Sequence, residues 1–343
     1  MFEMAVQETK QKRSHTARHE AAYCAPNSKI VLGTTNKNIF CEINGTVLYG
    51  DNDTLVFTLW LPDTTDHRGR FLAIGNGGMA GYIGYSSMLQ QLNSGMGFAV
   101  AGGDSGHLAR NNNWAVGAPG IYLPYLHDQD QLEAWIHNAI SFFTPAAKAL
   151  IVGYYAKPLR YSYDTGCSTG GAQGYARAQL HPELFDGIYA GCLGNWYSHL
   201  ALSFLWNAQQ TDTKERNLTQ ARLTFIRDAV VDACDENDGV KDGLIENPLT
   251  CKFDIDTLLC TIDQGPNANE TVTCLTSDQL DAVEAVYAGP KRSDTGAEVY
   301  PGFSFGSESE WLHQEGELAN AFSIPILQNV VINNLSYDAN TFN

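Results

Sequence analysis

Long apolar segments are missing from the sequence: no run reaches the roughly 18 residues that a transmembrane helix needs, so we expect none. Positive charge is also scarce, because 21 lysines and arginines stand against 38 aspartates and glutamates, for a net charge of −17. Such a chain repels the phosphates of nucleic acid, which argues against that class of partner. The charge suits a secreted protein or one that binds cations and does not choose between the two.

The N-terminal stretch lacks the apolar segment that a signal peptide carries. It holds Lys10, Lys12, Arg13 and Arg18 instead. We expect residues 1–22 to form a disordered leader, since they are polar and show no periodicity. Either the true start of the protein lies upstream, or its export does not follow the usual route.

Cysteine is frequent enough to indicate an oxidising compartment. The chain has eight cysteines, four of them between Cys234 and Cys274. Asparagines in N-x-S/T sequons agree with secretion and predict a glycoprotein. The sequons are at Asn44, Asn52, Asn217, Asn269 and Asn334. The residues alone do not determine how Cys24, Cys41, Cys167 and Cys192 pair, although Cys24 with Cys41 is one possibility.

The strongest motif is Gly166-Cys167-Ser168-Thr169-Gly170, a G-x-S-x-G pattern. In a nucleophile elbow this pattern raises a serine on a sharp turn between a strand and a helix, where a base and an ester can both reach the hydroxyl. The alternation before it predicts a strand, and the helix formers after it predict a helix. The alternative is an ordinary glycine-rich turn, which the context disfavours.

The segments around the motif predict an α/β fold with a mainly parallel sheet, because short apolar strands alternate with helices. Strands are predicted at residues 54–61, 71–74, 98–101 and 185–190, and one or two helices, broken near Pro145, over 131–155. The second strand runs into Gly75-Asn76-Gly77-Gly78. We expect the backbone N–H groups of Gly77 and Thr169 to form an oxyanion hole, although the glycine loop alone is equally compatible with a plain tight turn.

His107, which follows the strand at 98–101, is the first histidine that invites a catalytic role. In folds with this type of elbow the base histidine comes after the serine, so the order argues against it. The sequence alone therefore does not name a base.

Beyond Asn195 the composition changes to one rich in aspartate, asparagine and cysteine, which predicts an inserted lid domain over residues 195–325. One helix is predicted around Leu223–Ala233, and Thr276 with Gln279 forms a capping box for another. Directly after Cys234 come three aspartates and two glycines, which offer hard oxygen ligands to a structural Ca²⁺. The predicted ligands are Asp235, Asp238 and Asp242 with the carbonyls of Val240 and Leu244. The alternative is a solvated acidic loop.

Four segments together resemble the tannase/feruloyl esterase family. They are residues 166–171 (Gly-Cys-Ser-Thr-Gly-Gly), 185–188 (Phe-Asp-Gly-Ile), 235–248, which include the calcium loop, and 251–254 (Cys-Lys-Phe-Asp). The resemblance covers roughly residues 40–315 and implies an α/β-hydrolase core with a lid, secretion, and hydrolysis of feruloyl or galloyl esters of plant cell walls or tannins. It also implies Ser168 as the nucleophile, calcium at the acidic loop, and the disulfides Cys234–Cys251 and Cys260–Cys274.

Departures from the family pattern lead to a second expectation. In the family an aspartate and a histidine follow the lid, and the histidine precedes a cysteine that bonds the one before the serine. Here none of the later histidines, His181, His199 and His313, precedes a cysteine, so Cys167 lacks its expected partner and Cys192 is an addition. Asp338 is the only late acid near the terminus, and we assign it no role.

We therefore expect a C-terminally truncated esterase with an incomplete triad and with its last core strands missing. The expected division is a core over 23–194, the lid, and the start of a return to the core over 326–343. The activity of such a chain is uncertain. The alternative function is a catalytically inactive fragment or binding protein that keeps the cleft and the calcium loop.

Overall fold

The computed structural model describes residues 16–23, 30–31, 34–36, 38–109, 118–261, 272–314 and 316–342. These residues form two compact units. The first contains the described residues up to 109 together with 124–195, and the second contains 118–123 and 196–342. None of the described helices is long and apolar enough to cross a membrane.

The first unit is built on a mixed sheet of seven strands. Its strand order is β1-β4-β5-β7-β6-β8-β9, in which β6, β7, β8 and β9 run parallel and β1, β4 and β5 extend the sheet by antiparallel pairing. The two remaining strands, β2 and β3, pair separately. The strands are β1 (Thr16–Tyr23), β2 (Ile30–Val31), β3 (Thr34–Thr35), β4 (Phe40–Tyr49), β5 (Asp53–Pro62), β6 (Arg70–Ile74), β7 (Phe98–Gly103), β8 (Tyr161–Cys167) and β9 (Gly187–Gly191).

Helices connect the parallel strands, as alternating strand and helix patterns predict. The first unit has α1 (Tyr85–Leu92), α2 (Gln129–Glu133), a π-helical turn (Ala134–Asn138), α3 (Ala139–Tyr155) and α4 (Thr169–Leu180). The predicted break near Pro145 is wrong, because α3 runs through Pro145. The irregular turn instead lies directly before α3, at Ala134–Asn138.

Apolar cores lie on both faces of the sheet because β5 alternates buried side chains between them. Leu55, Phe57 and Leu59 belong to a cluster that includes Ile140 and Phe143 of α3. Trp60, on the opposite face, belongs to a second cluster with Met88 of α1. Buried on both faces, the sheet can position the loops at its strand ends rigidly.

The N-terminal strand corrects one expectation. Residues 16–23 pair with β4 as β1, so the prediction of a disordered leader over 1–22 is wrong for 16–22. Residues 1–15 lie outside the described residues. So does Cys24, and with it the suggested pairing of Cys24 with Cys41.

The second unit is helical and is closed by two disulfides. Apolar side chains of α6 (Gln220–Cys234) and α7 (Ser277–Ala288) pack with Trp311 in one cluster. The bridges Cys234–Cys251 and Cys260–Cys274 are present, as the resemblance implied. The capping box is confirmed, since Thr276 accepts from the Gln279 N–H and the Gln279 side chain accepts from the Thr276 N–H. The helices are α5 (Tyr197–Thr211), α6 (Gln220–Cys234), α7 (Ser277–Ala288) and α8 (Ile324–Ile326), the last flanked by π-helical turns.

A buried carboxyl group marks the end of β7. The Asp104 Oδ1 accepts backbone N–H groups from Val56, at 3.2 Å, and from Gly106, at 2.9 Å. Burial raises the pKa of Asp104 to about 7, and the two hydrogen bonds oppose this shift. The protonated acid is therefore favoured in the folded state, and its contribution to stability is lost as the pH rises from about 4 to about 7.

We predict that Asp104→Asn removes this loss. The amide keeps an Oδ1 acceptor for both N–H groups and carries no charge. The unfolding free energy of the variant should therefore rise relative to that of the parent between pH 4 and pH 7, by up to about 4 kcal/mol. Denaturant unfolding across this pH range measures the difference. The control is Asp66→Asn at an exposed aspartate. An equal change with pH in the two variants would contradict the prediction.

Candidate active site

Ser168 lies at the turn between β8 and α4. Its φ of 57° and ψ of −120° lie outside the regions that most residues adopt, its side chain is exposed, and α4 begins at the next residue. The strand, turn and helix that the motif predicts are therefore all present. A serine held in a strained turn at the end of a parallel strand has the geometry of a nucleophile elbow.

Glycines around the serine allow the backbone to pass where a β-carbon cannot fit. A Cβ on Gly166 would lie 2.5 Å from the carbonyl carbon of Gly170, and one on Gly170 would lie 2.7 Å from the Asn76 oxygen. A Cβ on Gly171 would lie 2.2 Å from the Gly191 oxygen. The turn thus requires glycine because three backbone segments meet there.

The glycine loop after β6 contacts the elbow directly. The Gly170 N–H donates to the Asn76 oxygen at 2.6 Å, and the Thr169 hydroxyl donates to the Gly78 oxygen at 2.8 Å. This proximity follows from the register, in which Ile74 pairs with Thr165 so that both strands end at one edge of the sheet. The backbones of Gly77 and Thr169 therefore belong to segments that are hydrogen-bonded to each other. Their oxyanion role stays a prediction.

The loop after β9 holds the elbow from the other side. The Ser168 N–H donates to the Gly191 carbonyl oxygen at 3.2 Å. The Gly194 N–H donates to the Ser168 carbonyl oxygen at 3.0 Å. A disulfide joins Cys167 to Cys192. The sequence left the pairing of Cys167 open, and in this structure its partner is the additional cysteine, Cys192. Cys192 is the partner, because Cys167 pairs with Gly191 in the sheet and the next residue comes within reach.

A buried ion pair lies behind the elbow, and sequence reasoning missed it. Arg177 of α4 donates from Nε to the Asp164 Oδ2 at 2.6 Å, and both side chains are fully buried. Burial raises the pKa of Asp164, and the guanidinium opposes this shift. One turn before Arg177, Gln173 donates to the Trp135 oxygen at 2.6 Å. The available signal was the spacing of four residues between Gln173 and Arg177, which places both on one helix face.

The histidines differ in their surroundings. His107 is buried, donates from Nε2 to the Met79 oxygen at 2.7 Å and stacks on Tyr125, and its burial lowers its pKa to about 4. Outside the core, His181 lies 3.7 Å from Glu183, His199 stacks on Trp196, and His313 contacts Glu317 at 2.7 Å. Within the described residues of the first unit, no imidazole or carboxylate is hydrogen-bonded to the Ser168 hydroxyl.

Asp338, the late acid, serves as a helix cap. Its side chain accepts from the Asn340 N–H at 3.0 Å at the start of a short 3₁₀ helix, Ala339–Thr341. This hydrogen bond gives Asp338 a local structural role at the start of that helix.

The acidic loop begins where α6 ends and belongs to the second unit. Asp235 is buried, whereas Asp238 and Asp242 are exposed. Gly239 and Gly243 have φ values of 90° and 79°, which turn the chain. Each aspartate accepts backbone N–H groups of the loop itself: Asp235 from Asp242 and Gly243, Asp238 from Val240, and Asp242 from Leu244.

The donor chemistry of this loop fits Ca²⁺, since carboxylate and carbonyl oxygens are the ligands that this cation prefers. No three His, Cys, Asp or Glu side chains in the described part of the chain converge as a metal site. Calcium binding would therefore exchange amide contacts of Asp235, Asp238 and Asp242 for contacts to the cation. The predicted ligand set, with the carbonyls of Val240 and Leu244, stays a prediction.

Known proteins resemble this chain in sequence and in structure. A family model described as tannase and feruloyl esterase matches residues 41–341. The chain is 31% identical to the probable feruloyl esterase B of Aspergillus clavatus over 304 residues, which cover 87% of this chain and 54% of that protein. It spans about half the length of the curated relatives it matches.

Solved structures show the same architecture. The crystal structure of feruloyl esterase B from Aspergillus oryzae has a TM-score of 0.78 and 27% identity, covering 96% of this chain and 63% of that one. The tannin acyl hydrolase from Aspergillus niger has a TM-score of 0.63 and 21% identity, covering 94% and 62%, and so shows the fold alone. The expected α/β-hydrolase fold is confirmed.

We predict that Gly170→Ala disrupts the elbow. Its Cβ would lie 2.7 Å from the Asn76 oxygen and 2.9 Å from the Gly75 carbonyl carbon, and neither backbone atom can rotate away. We expect a loss of at least about 1–3 kcal/mol in unfolding free energy. The control is Gly153→Ala in α3, where a Cβ meets nothing within 4 Å and alanine should stabilise the helix by up to about 1 kcal/mol. Equal stability of the two variants in chemical denaturation would contradict the prediction.

Proposed function

The chain belongs to the tannase and feruloyl esterase family, and we propose that it carries the nucleophile of an enzyme that hydrolyses phenolic-acid esters through an acyl intermediate on Ser168. The observation that carries the proposal is the exposed Ser168 at a positive φ between β8 and α4. Feruloyl or galloyl esters of plant cell walls or tannins are the proposed substrates. Several relatives are named as probable feruloyl esterases.

In the proposed reaction the hydroxyl oxygen of Ser168 attacks the ester carbonyl carbon while a general base takes the hydroxyl proton. The backbone N–H groups of Thr169 and Gly77 stabilise the negative charge on the carbonyl oxygen. Collapse of the tetrahedral intermediate expels the alcohol and leaves the acyl group on Ser168, which water then releases as the acid. The family resemblance implies a histidine as the base.

The alternative function is a catalytically inactive protein that binds phenolic esters without turnover. The observation that favours it is the Ser168 hydroxyl, to which no imidazole or carboxylate in the described part of the first unit is hydrogen-bonded. A serine without a base loses the step that makes it nucleophilic.

Secretion is proposed on the disulfides, which form and persist in oxidising compartments. Three bridges connect described cysteines: Cys167–Cys192, Cys234–Cys251 and Cys260–Cys274. Glycosylation is proposed at the sequons with exposed asparagines, which include Asn52 and Asn334.

A structural Ca²⁺ is proposed at the acidic loop, where the carboxylates of Asp235, Asp238 and Asp242 and the carbonyls of Val240 and Leu244 would hold it. The cation would stiffen the segment that the Cys234–Cys251 disulfide already closes. The loop lies in the second unit, and its proposed contribution is to stability.

We predict that Ser168→Ala lowers hydrolysis of methyl ferulate, methyl gallate or a p-nitrophenyl ester at least about a thousandfold, because it removes the attacking oxygen. Initial rates with the 343-residue chain measure this. The matched control is Ser87→Ala, an exposed serine of α1, which should keep the parent rate. Undiminished hydrolysis by Ser168→Ala would refute the proposal, and ester binding without turnover by the parent would favour the inactive alternative.

We predict that chelation lowers the melting temperature and that Ca²⁺ restores it. Asp238→Ala should abolish the response, because it removes one carboxylate ligand while leaving the buried Asp235 in place. The control is Asp256→Ala at an exposed aspartate outside the loop. If chelation leaves the parent unchanged and Asp238→Ala binds Ca²⁺ like the parent, the loop is only acidic.

A further inference from the structure

An open cleft of about 450 Å³ lies in the first unit, at the edge of the sheet opposite the elbow. It is lined by three arginines with an exposed tyrosine and an exposed methionine, namely Arg68, Arg70, Arg160, Tyr161 and Met96. Tyr161 begins β8, whereas Ser168 follows its end. At about 3.3 Å per residue, the length of β8 separates the cleft from Ser168 by roughly 20 Å.

A second cleft, of about 430 Å³, adjoins the first because Arg68 and Arg160 line both. The exposed Lys157 adds a further positive charge to it. The two arginine clefts therefore hold four of the 21 lysines and arginines of a chain whose net charge is −17. Salt screens exposed charges more than about 8–10 Å apart, so an anion in these clefts interacts chiefly with the cations that line them.

The arginine side chains of the clefts are available to a ligand. Within the described part of the chain, no hydrogen bond or ion pair joins their three guanidinium groups to another residue. The nearest acids in sequence, Asp63 and Asp66, belong to the turn before Arg68. Asp63 accepts the N–H and the hydroxyl of Thr65, both at 2.9 Å, and neither aspartate pairs with an arginine of the clefts.

Backbone contacts and packing hold two of these arginines in place. The Arg68 N–H donates to the Gly97 carbonyl oxygen at 3.0 Å, and the Arg160 N–H donates to the Gly69 carbonyl oxygen at 2.7 Å. A Cβ on Gly69 would lie 2.9 Å from the Arg160 Cγ, and one on Gly97 would overlap the Arg68 Cγ. The arginine stems therefore pack on glycines at the rigid end of the sheet. A ligand need not order this backbone when it binds.

The chemistry of the clefts selects a class of ligand. Guanidinium groups bind carboxylates through two parallel N–H···O hydrogen bonds. Beside them, Tyr161 and Met96 offer apolar surface that a small inorganic anion would leave uncovered. Sugar rings that carry carboxylates match both features, and a chain of such rings can occupy two adjoining clefts.

We propose that the arginine clefts bind a polyuronate chain of the plant cell wall and so anchor the polysaccharide that carries the ester. The choice of polysaccharide rests on the proposed function, which takes the plant cell wall as a source of the ester. Binding at a second site makes the encounter of a linked ester with Ser168 intramolecular. Because the clefts are remote from Ser168, esters without a polyuronate chain receive no such benefit.

The binding test uses the full chain, with titration calorimetry against a galacturonic acid tetramer. We expect Arg68→Gln/Arg160→Gln to weaken binding at least tenfold, since glutamine keeps the stem that packs on glycine and removes the charge. Tyr161→Ala should weaken it at least threefold. The matched control is Lys214→Gln/Lys252→Gln, which removes two exposed cations of the second unit and should bind within twofold of the parent.

The kinetic test separates anchoring from chemistry. Arg68→Gln/Arg160→Gln should hydrolyse methyl ferulate within twofold of the parent rate, which also shows that the variant is folded. Its KM for feruloylated pectin should rise at least fivefold with kcat within twofold of the parent. An unchanged KM for this polymer, in a parent that hydrolyses it through Ser168, overturns the inference.

The binding data can overturn the inference in several further ways. Absence of tetramer binding by the parent does so, as does binding that the arginine or the tyrosine variant leaves unchanged. Neutral xylotetraose that binds as tightly as the tetramer, or inorganic phosphate that displaces it at an equal concentration, also contradicts a polyuronate site. Hydrolysis that does not depend on Ser168 defeats the proposed function, and the binding measurements then decide alone whether the clefts hold polyuronate.

Discussion

The close approach of three backbone segments at the N-terminus of α4 is the constraint on which the candidate site depends. Gly170 contacts the loop after β6, Gly171 contacts the end of β9, and Gly166 lets β8 fold back onto α4. Only hydrogen occupies the space where a β-carbon would stand, so the turn at Ser168 is determined by packing against neighbouring strands rather than by local preference. The exposed serine is a consequence of that packing.

Features that depend on local patterns in the chain could be predicted from the sequence. The elbow, the strands on either side of it and the capping box of Thr276 and Gln279 each depend on residues close together in the chain. The partner of Cys167 could not be predicted in this way, because its pairing with Cys192 depends on the strand register that sets Cys167 beside Gly191. Strand β1 was missed for a related reason: its polar residues gain their place only by pairing with β4.

The polar interior behind the elbow depends on tertiary context in the same way. Arg177 and Asp164 would each be costly to bury alone, and their 2.6 Å contact makes burial tolerable. The neighbouring π-helical turn supplies the Trp135 oxygen that accepts from Gln173 and the His137 oxygen that accepts from Arg177. Polar contacts therefore hold the buried face of α4 against this π-helical turn. Sequence periodicity does not predict such contacts, since polar residues on a helix face usually point to solvent.

These hydrogen bonds and the ion pair fix the position of α4 behind the elbow, and a fixed helix matters for the proposed ester hydrolysis. A helix N-terminus carries partial positive charge, and α4 begins at Thr169 beside the serine where negative charge would develop on an ester oxygen. Such stabilisation works best when the donors need not move, and α4 is held at its start by the loops and along its length by Gln173 and Arg177. Arg177, in the last turn, also places positive charge near the negative end of the helix dipole. The buried pair thus serves the serine indirectly, by keeping fixed the helix whose first amides face the reacting oxygen in the proposed mechanism.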